Sequence, residues 1–586
     1  MNYMNFMIAN SGIRNRAMLL ILVLTLSVTG YSNPSDRQIA DASGTTVPDL
    51  RKIIDDGLSS GKKTIVIPPG VYRVKPVNRQ HLYFKNLKNV EIIADNVEMI
   101  CTETTRAITF ENCENVVLRG MTVDYDPLPF SQGRITALAP DKSWIEFKLF
   151  DGYLGNLEQR IEIFDARTNS LKRGTHYGWK PLEHLGQRRY KAVKADSYRY
   201  NPEDDKEDVG DIIVTNNSYA PGGSMPHAIH SDRCVNLTLQ NVTFYASNCF
   251  TYFETNCDRT TYRNCKIDRR AAENDPVKRE YPRLRSSNAD AFHSKFAVHG
   301  PQLIGCYAKY QGDDCVNICG EYYMIMACTG NTVRILTQRE INIKTGDPVE
   351  LVSYTGARLP DARVVAIAPD GTVNAEEARF LMAQQMNKNI QAGLSKPGTK
   401  AIAITLDRAV DLPMGSVIAS TKHMGNGFLV QECDFGFNRS RGILIKASNG
   451  KVIGNRLTGN WMSAVLVTPE WWWLESGSSN DVEISGNTIT DCRDIAIKVE
   501  ARAGNGQIAP AGAHNRITVA KNRITGSPLP NINVTSTRGL TISGNTCIPD
   551  PAVKVSAWII KRNGWKEETL SPIMTANCED VTEASD

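Results

Sequence analysis

The chain has 586 residues, of which 41% are hydrophobic and 22% charged, and a formal net charge of +4. That length is too great for one compact core but normal for a repeat array with insertions. A charge this small, dispersed without Lys/Arg runs, gives no footprint for nucleic acid or an anionic membrane surface.

At the N-terminus, Arg14 and Arg16 precede an apolar run from Ala17 to Val28, and Val28-Thr29-Gly30 offers small residues for cleavage. The pattern predicts a secretory signal over 1–30, too short for a permanent span; an uncleaved anchor is the alternative. No Cys follows the run, so lipoprotein attachment is not expected. The protein should be periplasmic or extracellular, with no stable membrane insertion. Next, Leu50, Ile53, Ile54 and Leu58 have helical spacing, and the strand-like Thr64-Ile65-Val66-Ile67 follows. A short amphipathic helix suits the open hydrophobic end of a solenoid. An ordinary αβ unit is the alternative, but no further helix–strand alternation follows.

Short strings then recur. Asn112 to Gly120, Asp232 to Asn241 and Thr255 to Asn264 each read as turn, strand, turn, and Asn241 and Asn264 are 23 apart. Further on, Gly454-Asn455, Gly486-Asn487, Lys521-Asn522 and Gly544-Asn545 repeat, with Asn522 and Asn545 again 23 apart. Short apolar alternation with Asn/Gly corners at a fixed period is the signature of a parallel β-helix. The predicted fold is all-β, a right-handed parallel β-helix. Two stretches break the period, 127–226 and 331–426, and both are rich in strand-like runs such as Trp144 to Leu149 and Ala401 to Leu406. They are predicted to be two inserted small β-barrel-like domains walling the binding face. The expected segments are a cap with first coils (31–126), insert one, central coils (227–330), insert two, C-terminal coils (427–560) and a tail (561–586).

The 14 Cys carry no CxxC pair and no His/Cys group of zinc spacing, so no metal and no cofactor is predicted. Cys234 to Cys257 is 23 and Cys306 to Cys328 is 22, so each pair is expected at equivalent points of neighbouring coils. Stacked interior thiols acting as small hydrophobes fit this better than disulfides.

Asn288-Ala289-Asp290 and Gly312-Asp313-Asp314 stand one repeat apart, 23 and 24 residues between carboxylates. Stacked strands sit roughly 4.8 Å apart, so the three Asp should converge. Adjacent strand residues face opposite sides; a bulge or turn at Gly312 would aim both Asp313 and Asp314 outward. A solvated turn is the bland alternative. Crowded carboxylates cannot all ionise, which makes an acid and a base from one residue type. His293 follows Asp290 with opposite parity, as a possible ligand contact; His423 is a weaker candidate. In Arg441-Gly442-Ile443-Leu444-Ile445-Lys446, the two Ile should point inward and Lys446 outward. Lys446 is then either a cation beside the carboxylates or a snorkelling surface Lys, and Arg441 is equally open. In Pro469-Glu470-Trp471-Trp472-Trp473-Leu474-Glu475, three consecutive Trp cannot all be core. They form either an aromatic rim for a sugar, with Glu470 and Glu475 accepting hydroxyl protons, or a loop pinned by its own rings.

At these residues the chain resembles glycoside hydrolase family 110, the bacterial α-1,3-galactosidases. The resemblance is carried by Asn288 to Ser294, Gly312 to Asn317, Arg441 to Lys446 and the Trp-rich loop from Pro469 to Gly477. It implies an exo-acting, inverting, metal-independent hydrolase of terminal α-1,3-linked galactose, as on blood-group-B-type glycans. A more distant similarity is to polygalacturonases, but this chain has no clean Gly-His-Gly and reads Gly-Asp-Asp where they have Gln-Asp-Asp. By resemblance, Asp313 would be the general acid, with Asp290 and Asp314 positioning and deprotonating water. An inverting acid and base are expected roughly 6.5–9.5 Å apart. The alternatives are a polygalacturonase-like hydrolase, a Ca²⁺-dependent polysaccharide lyase using its Asp residues for the ion, and a non-catalytic glycan-binding β-helix.

Overall fold

A computed structural model describes residues 49–172, 175, 179–194, 206–217 and 226–584. The predicted signal segment lies outside them. Three parallel sheets of 12, 11 and 11 strands run the length of the molecule, each coil giving one short strand to each sheet. This is a right-handed parallel β-helix. One inward column shows how the sequence builds it. Ile92, Leu118, Leu239, Tyr262, Leu303, Val430, Val452, Ile484, Val519 and Ile542 pair in register, coil on coil. All ten are buried, so every coil is stabilised by the apolar area it hides against its two neighbours.

The Asn residues that mark the repeat do two jobs. Asn112, Asn115, Asn236, Asn241, Asn256 and Asn264 take positive φ, a conformation that Asn tolerates better than other side chains with a Cβ. Asn455, Asn487, Asn522 and Asn545 form a ladder, each side-chain amide donating to the next carbonyl oxygen at 2.9 Å. At the N-terminal end, the helix Leu50–Ser59 starts at Asp49, whose carboxylate accepts from Arg51 N at 2.9 Å. It buries Leu50 and Ile54 over the first coil.

The two inserts differ. Insert two closes into a six-stranded barrel running from Tyr323–Thr329 to Val417–Ser420, with two short helices, Ala375–Ala383 and Lys388–Leu394. Insert one, from Phe130–Leu138 to Ile212–Asn217, is a seven-stranded antiparallel sheet over its own core of Ile135, Phe147, Ile161, Ile163 and Ile213. The barrel begins at Tyr323, before the expected 331. Cys328 therefore sits in a barrel strand and not in a ladder with Cys306; Cys306 is flanked by Cys265 and Cys433. All fourteen cysteines are free thiols. The segment expected to be a tail carries one more coil, as Ile573–Ala576 and Glu579–Ala584 pair with Ile532–Thr535 and Thr537–Ser543. A third excursion, between Lys266–Ile267 and Phe292–Lys295, has no counterpart in the repeat reading. Arg283 ties it down by gripping both oxygens of buried Asp124 at 2.8 and 2.9 Å. Among the described residues no helix is long and apolar enough to cross a membrane.

Candidate active site

Strands Phe292–Lys295, Val316–Cys319 and Ile443–Ile445 are neighbours in one sheet, with Phe292, Val316 and Ile443 in register. Counting back two residues aligns Asp290, Asp314 and Arg441 in one column just before the strands. Asp313 joins them because Gln311 to Asp314 is not regular strand. Arg439 Nε donates to Gly312 O at 2.6 Å, Arg160 donates to the same oxygen, and Asn438 Nδ2 donates to Asp313 O at 2.8 Å. A side chain at position 312 would meet Asn288 O at 2.9 Å, so this close approach requires glycine. One oxygen from each of Asp290, Asp313 and Asp314 then lies within 4.8 Å of the others. The trio is tighter than the separation expected for an inverting pair.

The three carboxyls are not equivalent. Arg439 Nη2 sits 2.7 Å from Asp313 Oδ2. Burial alone would push Asp313 up, but Arg439, Arg160 and Arg441 outweigh it and hold the group below the ordinary carboxylate range. Asp314 accepts from Arg441 N at 2.8 Å and pairs with Arg441 Nη2 at 2.9 Å. Burial, opposed by Arg441 and reinforced by Asp290 and Asp313, still pushes it up to about 7. Asp290 is raised as well, by burial and then by Asp313. It shares a 2.7 Å hydrogen bond with His293 Nδ1, and burial lowers His293 to about 4, so the ring is neutral. The proton of the site therefore sits with Asp290 and Asp314 and the charge with Asp313. This direction runs against the acid role that the family resemblance implies for Asp313; its cause is Arg439.

Beside the trio lies a buried cluster of charged side chains. Lys446, 0% exposed, is no surface Lys: its Nζ lies 3.0 Å from both Glu470 and Glu475 and 3.2 Å from Asn317 Oδ1. Burial works against the charge on Glu475, but Lys446 and Lys295 hold that carboxyl well below its usual range. The Trp-rich loop is clamped between β-helix and barrel. Ser478 N donates to Glu350 of the barrel at 3.1 Å, and Asn387 N donates to Trp472 O at 2.8 Å. Trp471 packs against Tyr322 and Tyr354 of the barrel, centroids 6.0 and 6.2 Å away. This contact is the loop-pinning use of a ring, one of the two uses expected for the three Trp. Trp472 and Trp473 are half-buried, and Trp472 Nε1 is a buried donor with no partner among the described residues. His423 bonds the Phe296 carbonyl at 3.3 Å.

Sequence reasoning missed Arg439, Arg160 and Glu162. Arg160 and Glu162 come from insert one, whose strand Leu157–Asp165 turns this charged face toward the Asp313 turn. Glu162 lies 3.3 Å from Arg439 and 2.6 Å from Arg285. The alternation Arg160-Ile161-Glu162-Ile163 was visible, but nothing in it said that the charged face would be buried. Among the described residues, two groups have ligand atoms close enough for a metal ion, the Asp trio and His293 with Cys319 and Glu475. Arg439 and Arg441 already offset the charge of the first, and Lys446 and Lys295 that of the second.

A parallel β-helix with an arginine-braced carboxylate trio on one outer sheet is the class of protein that fold and site define. No family model matches the chain. It is similar, at 20% identity over 91% of its length and 88% of the relative's, to alpha-1,3-galactosidase B of Bacteroides thetaiotaomicron. Alpha-1,3-galactosidase A of Bacteroides fragilis is 30% identical over 156 residues, 24% of this chain and 25% of that one. Among solved structures, a family 28 exopolygalacturonase from Yersinia enterocolitica matches with a TM-score of 0.40 at 9% identity, over 93% of this chain and 77% of that one. A mannuronan C-5 epimerase A-module from Azotobacter vinelandii gives 0.38 at 12%, over 92% and 96%.

Proposed function

We propose that this chain is a secreted, exo-acting glycoside hydrolase that removes terminal α-1,3-linked galactose from glycans such as blood-group-B-type structures, with inversion and without a metal. The observation that carries this reading is the convergence of Asp290, Asp313 and Asp314 beside the buried Lys446, Glu470 and Glu475 cluster. The distant full-length similarity to an α-1,3-galactosidase supports the substrate. The Arg14, Arg16 and apolar 17–28 pattern supports export to the periplasm or beyond.

The chemistry follows from where charge and proton sit. Asp290, sharing the site's proton with Asp314, protonates the glycosidic oxygen as the bond to the anomeric carbon breaks. Asp313, kept ionised by Arg439, takes a proton from the water whose oxygen attacks that carbon. Glu470 and Glu475 accept from the hydroxyls of the terminal sugar, and Trp472 Nε1 donates to one. An acidic pectin-type substrate fits less well, because Arg439, Arg441, Lys446 and Lys295 each already face a carboxylate. The test is incubation with terminal α-1,3-, α-1,4- and α-1,6-galactosides and with polygalacturonate, with and without a chelator. Release of galactose from the α-1,3 substrate, indifferent to the chelator, is expected; cleavage of polygalacturonate alone would replace this reading with the pectinase one.

A further inference from the structure

The column that holds Asp290, Asp314 and Arg441 does not stop at the trio. Strands Arg106–Glu111, Ile229–Asp232, Tyr252–Thr255 and Phe292–Lys295 stack in one sheet, with Ile108, Ile229, Tyr252 and Phe292 in register. Counting back two residues continues the column toward the N-terminal coils as Phe250, His227 and Arg106. Near the trio its polar members are matched. Asp314 pairs with Arg441 at 2.9 Å, and Asp290 shares a 2.7 Å hydrogen bond with His293. Arg106 is not matched. It is half-buried, its guanidinium has no hydrogen bond or ion pair with any described residue, and its Nε is buried without a partner. On the next coil, His227 Nδ1 is also buried with no partner among the described residues. Two residues with unmet nitrogens are thus neighbours in the column that leads to the trio.

The electrostatics single out the same residue. Burial disfavours the charge on Arg106, and only the Tyr125 phenol works the other way. Burial acts in the same sense on Arg160 and Arg562, but a carboxylate supports each of them, Glu162 for the first and Glu500 for the second. The carboxylates around His230 are already taken. Asp232 lies 2.7 Å from Arg233, and Glu111 lies 3.1 Å from Lys85 and 3.5 Å from Arg233. Burial above all, with Arg106 adding to it, keeps His227 and His230 uncharged, so Arg106 carries the positive charge of this patch. A partly buried cation without a counter-charge is costly unless something supplies the anion. A guanidinium is a planar fork that grips oxyanions two oxygens at a time, and a neutral imidazole beside it has one N–H to donate.

We infer that Arg106, with His227 beside it, binds an acidic substituent, a carboxylate or a sulfate ester, on the leaving-group part of the glycan. The leaving-group side rests on the galactosidase reading. Glu470 and Glu475, which take the terminal sugar there, follow the coil C-terminal to the trio, so the rest of the glycan runs the other way along the column. Three strand spacings separate Asp290 from Arg106, roughly 14 Å, which places the acidic group beyond the sugar next to the cleaved bond. The test is calorimetric titration of the protein with a κ-carrageenan tetrasaccharide, its desulfated form and tetragalacturonate. At low salt, at least one acidic probe should bind about tenfold tighter than the desulfated one, and the tighter of the two identifies the substituent as sulfate or carboxylate. Arg106→Gln should reduce that probe to the neutral level, and Arg106→Lys should keep part of the gain. Raising the salt to about 0.5 M should remove the preference in the wild type, an arm that needs no variant. Acidic and neutral probes behaving alike in the wild type, or a preference that persists in folded Arg106→Gln, overturns the site. Binding needs no turnover, so this inference and the galactosidase reading fail separately. A preference lost in Arg106→Gln, with no galactose released from an α-1,3-galactoside, upholds the anion site and sinks the galactosidase reading; galactose release without an acidic preference does the reverse.

Discussion

Arg439 decides which member of the trio carries charge, and that makes the pH profile informative. Asp313 must be ionised to act as base, and Arg439 at 2.7 Å keeps it ionised to unusually low pH. Replacing Arg439 by Gln removes the cation and raises the Asp313 pKa. The acid-side limb of kcat/KM should then move to higher pH by about one unit or more, so activity near pH 5 is lost first. The alkaline limb has the opposite logic. The proton shared by Asp290 and Asp314 must be present, and with Asp314 pushed up to about 7, wild-type kcat/KM should decline as pH rises through that value. A profile flat from pH 6 to 9 would remove these two residues as the acid. Asp313→Asn should lower kcat by about 10³-fold, within the usual range for acid–base groups. Folding should survive, because Arg439 keeps Glu162 at 3.3 Å as a partner; retained circular dichroism and melting temperature check this.

At the scale of elements, the loop Glu470–Glu475 joins two bodies that the sequence separates by long distances. Its own ends pair, Glu470 with Glu475, as an isolated antiparallel bridge, while Trp471 and Leu474 pack into the barrel side. Trp471→Ala should therefore cost about 2 kcal/mol or more of stability, read by chemical denaturation. Trp473→Ala should leave the denaturation midpoint nearly unchanged and, if the ring faces sugar, raise KM. Lys446→Met tests the charged cluster differently. It strands Glu470 and Glu475 without their common cation, and breaking a buried pair from one side typically costs about 3–5 kcal/mol. A much smaller loss would mean that Lys295, 3.7 Å from Glu475, and Arg441, 3.7 Å from Glu470, compensate.

For the whole molecule, both inserts contribute to the surroundings of the trio. Insert one supplies Arg160 and Glu162 beside the Asp313 turn, and insert two supports the Trp-rich loop. The stereochemistry is a separate question, because the carboxylate oxygens come within 4.8 Å, closer than an inverting pair normally stands. Proton NMR of the first galactose released decides it: the β-anomer appearing first is the expected result, and the α-anomer first would mean retention through a covalent intermediate.

How much of this was legible in the sequence follows from what is local and what is not. The coil period could be read because each strand needs only alternating apolar residues and an Asn or Gly at the corner. Those demands repeat every coil, so they appear as a period in one dimension. Asp290 and Asp314 could be brought together for the same reason, since one coil separates them. Arg441 joined the same column only once insert two was known to leave and return between stacked coils. Glu162 and Arg160 could not be found at all, because no period links an insert strand to the coil it packs on. The same limit governed the proton. Three Asp brought together promise an acid and a base, but which is which depends on Arg439, a residue 126 positions from Asp313 by chain and 2.7 Å from it in space. Repetition along the chain determined the scaffold; contacts across the chain, set by how the inserts dock, decided the charge at its centre.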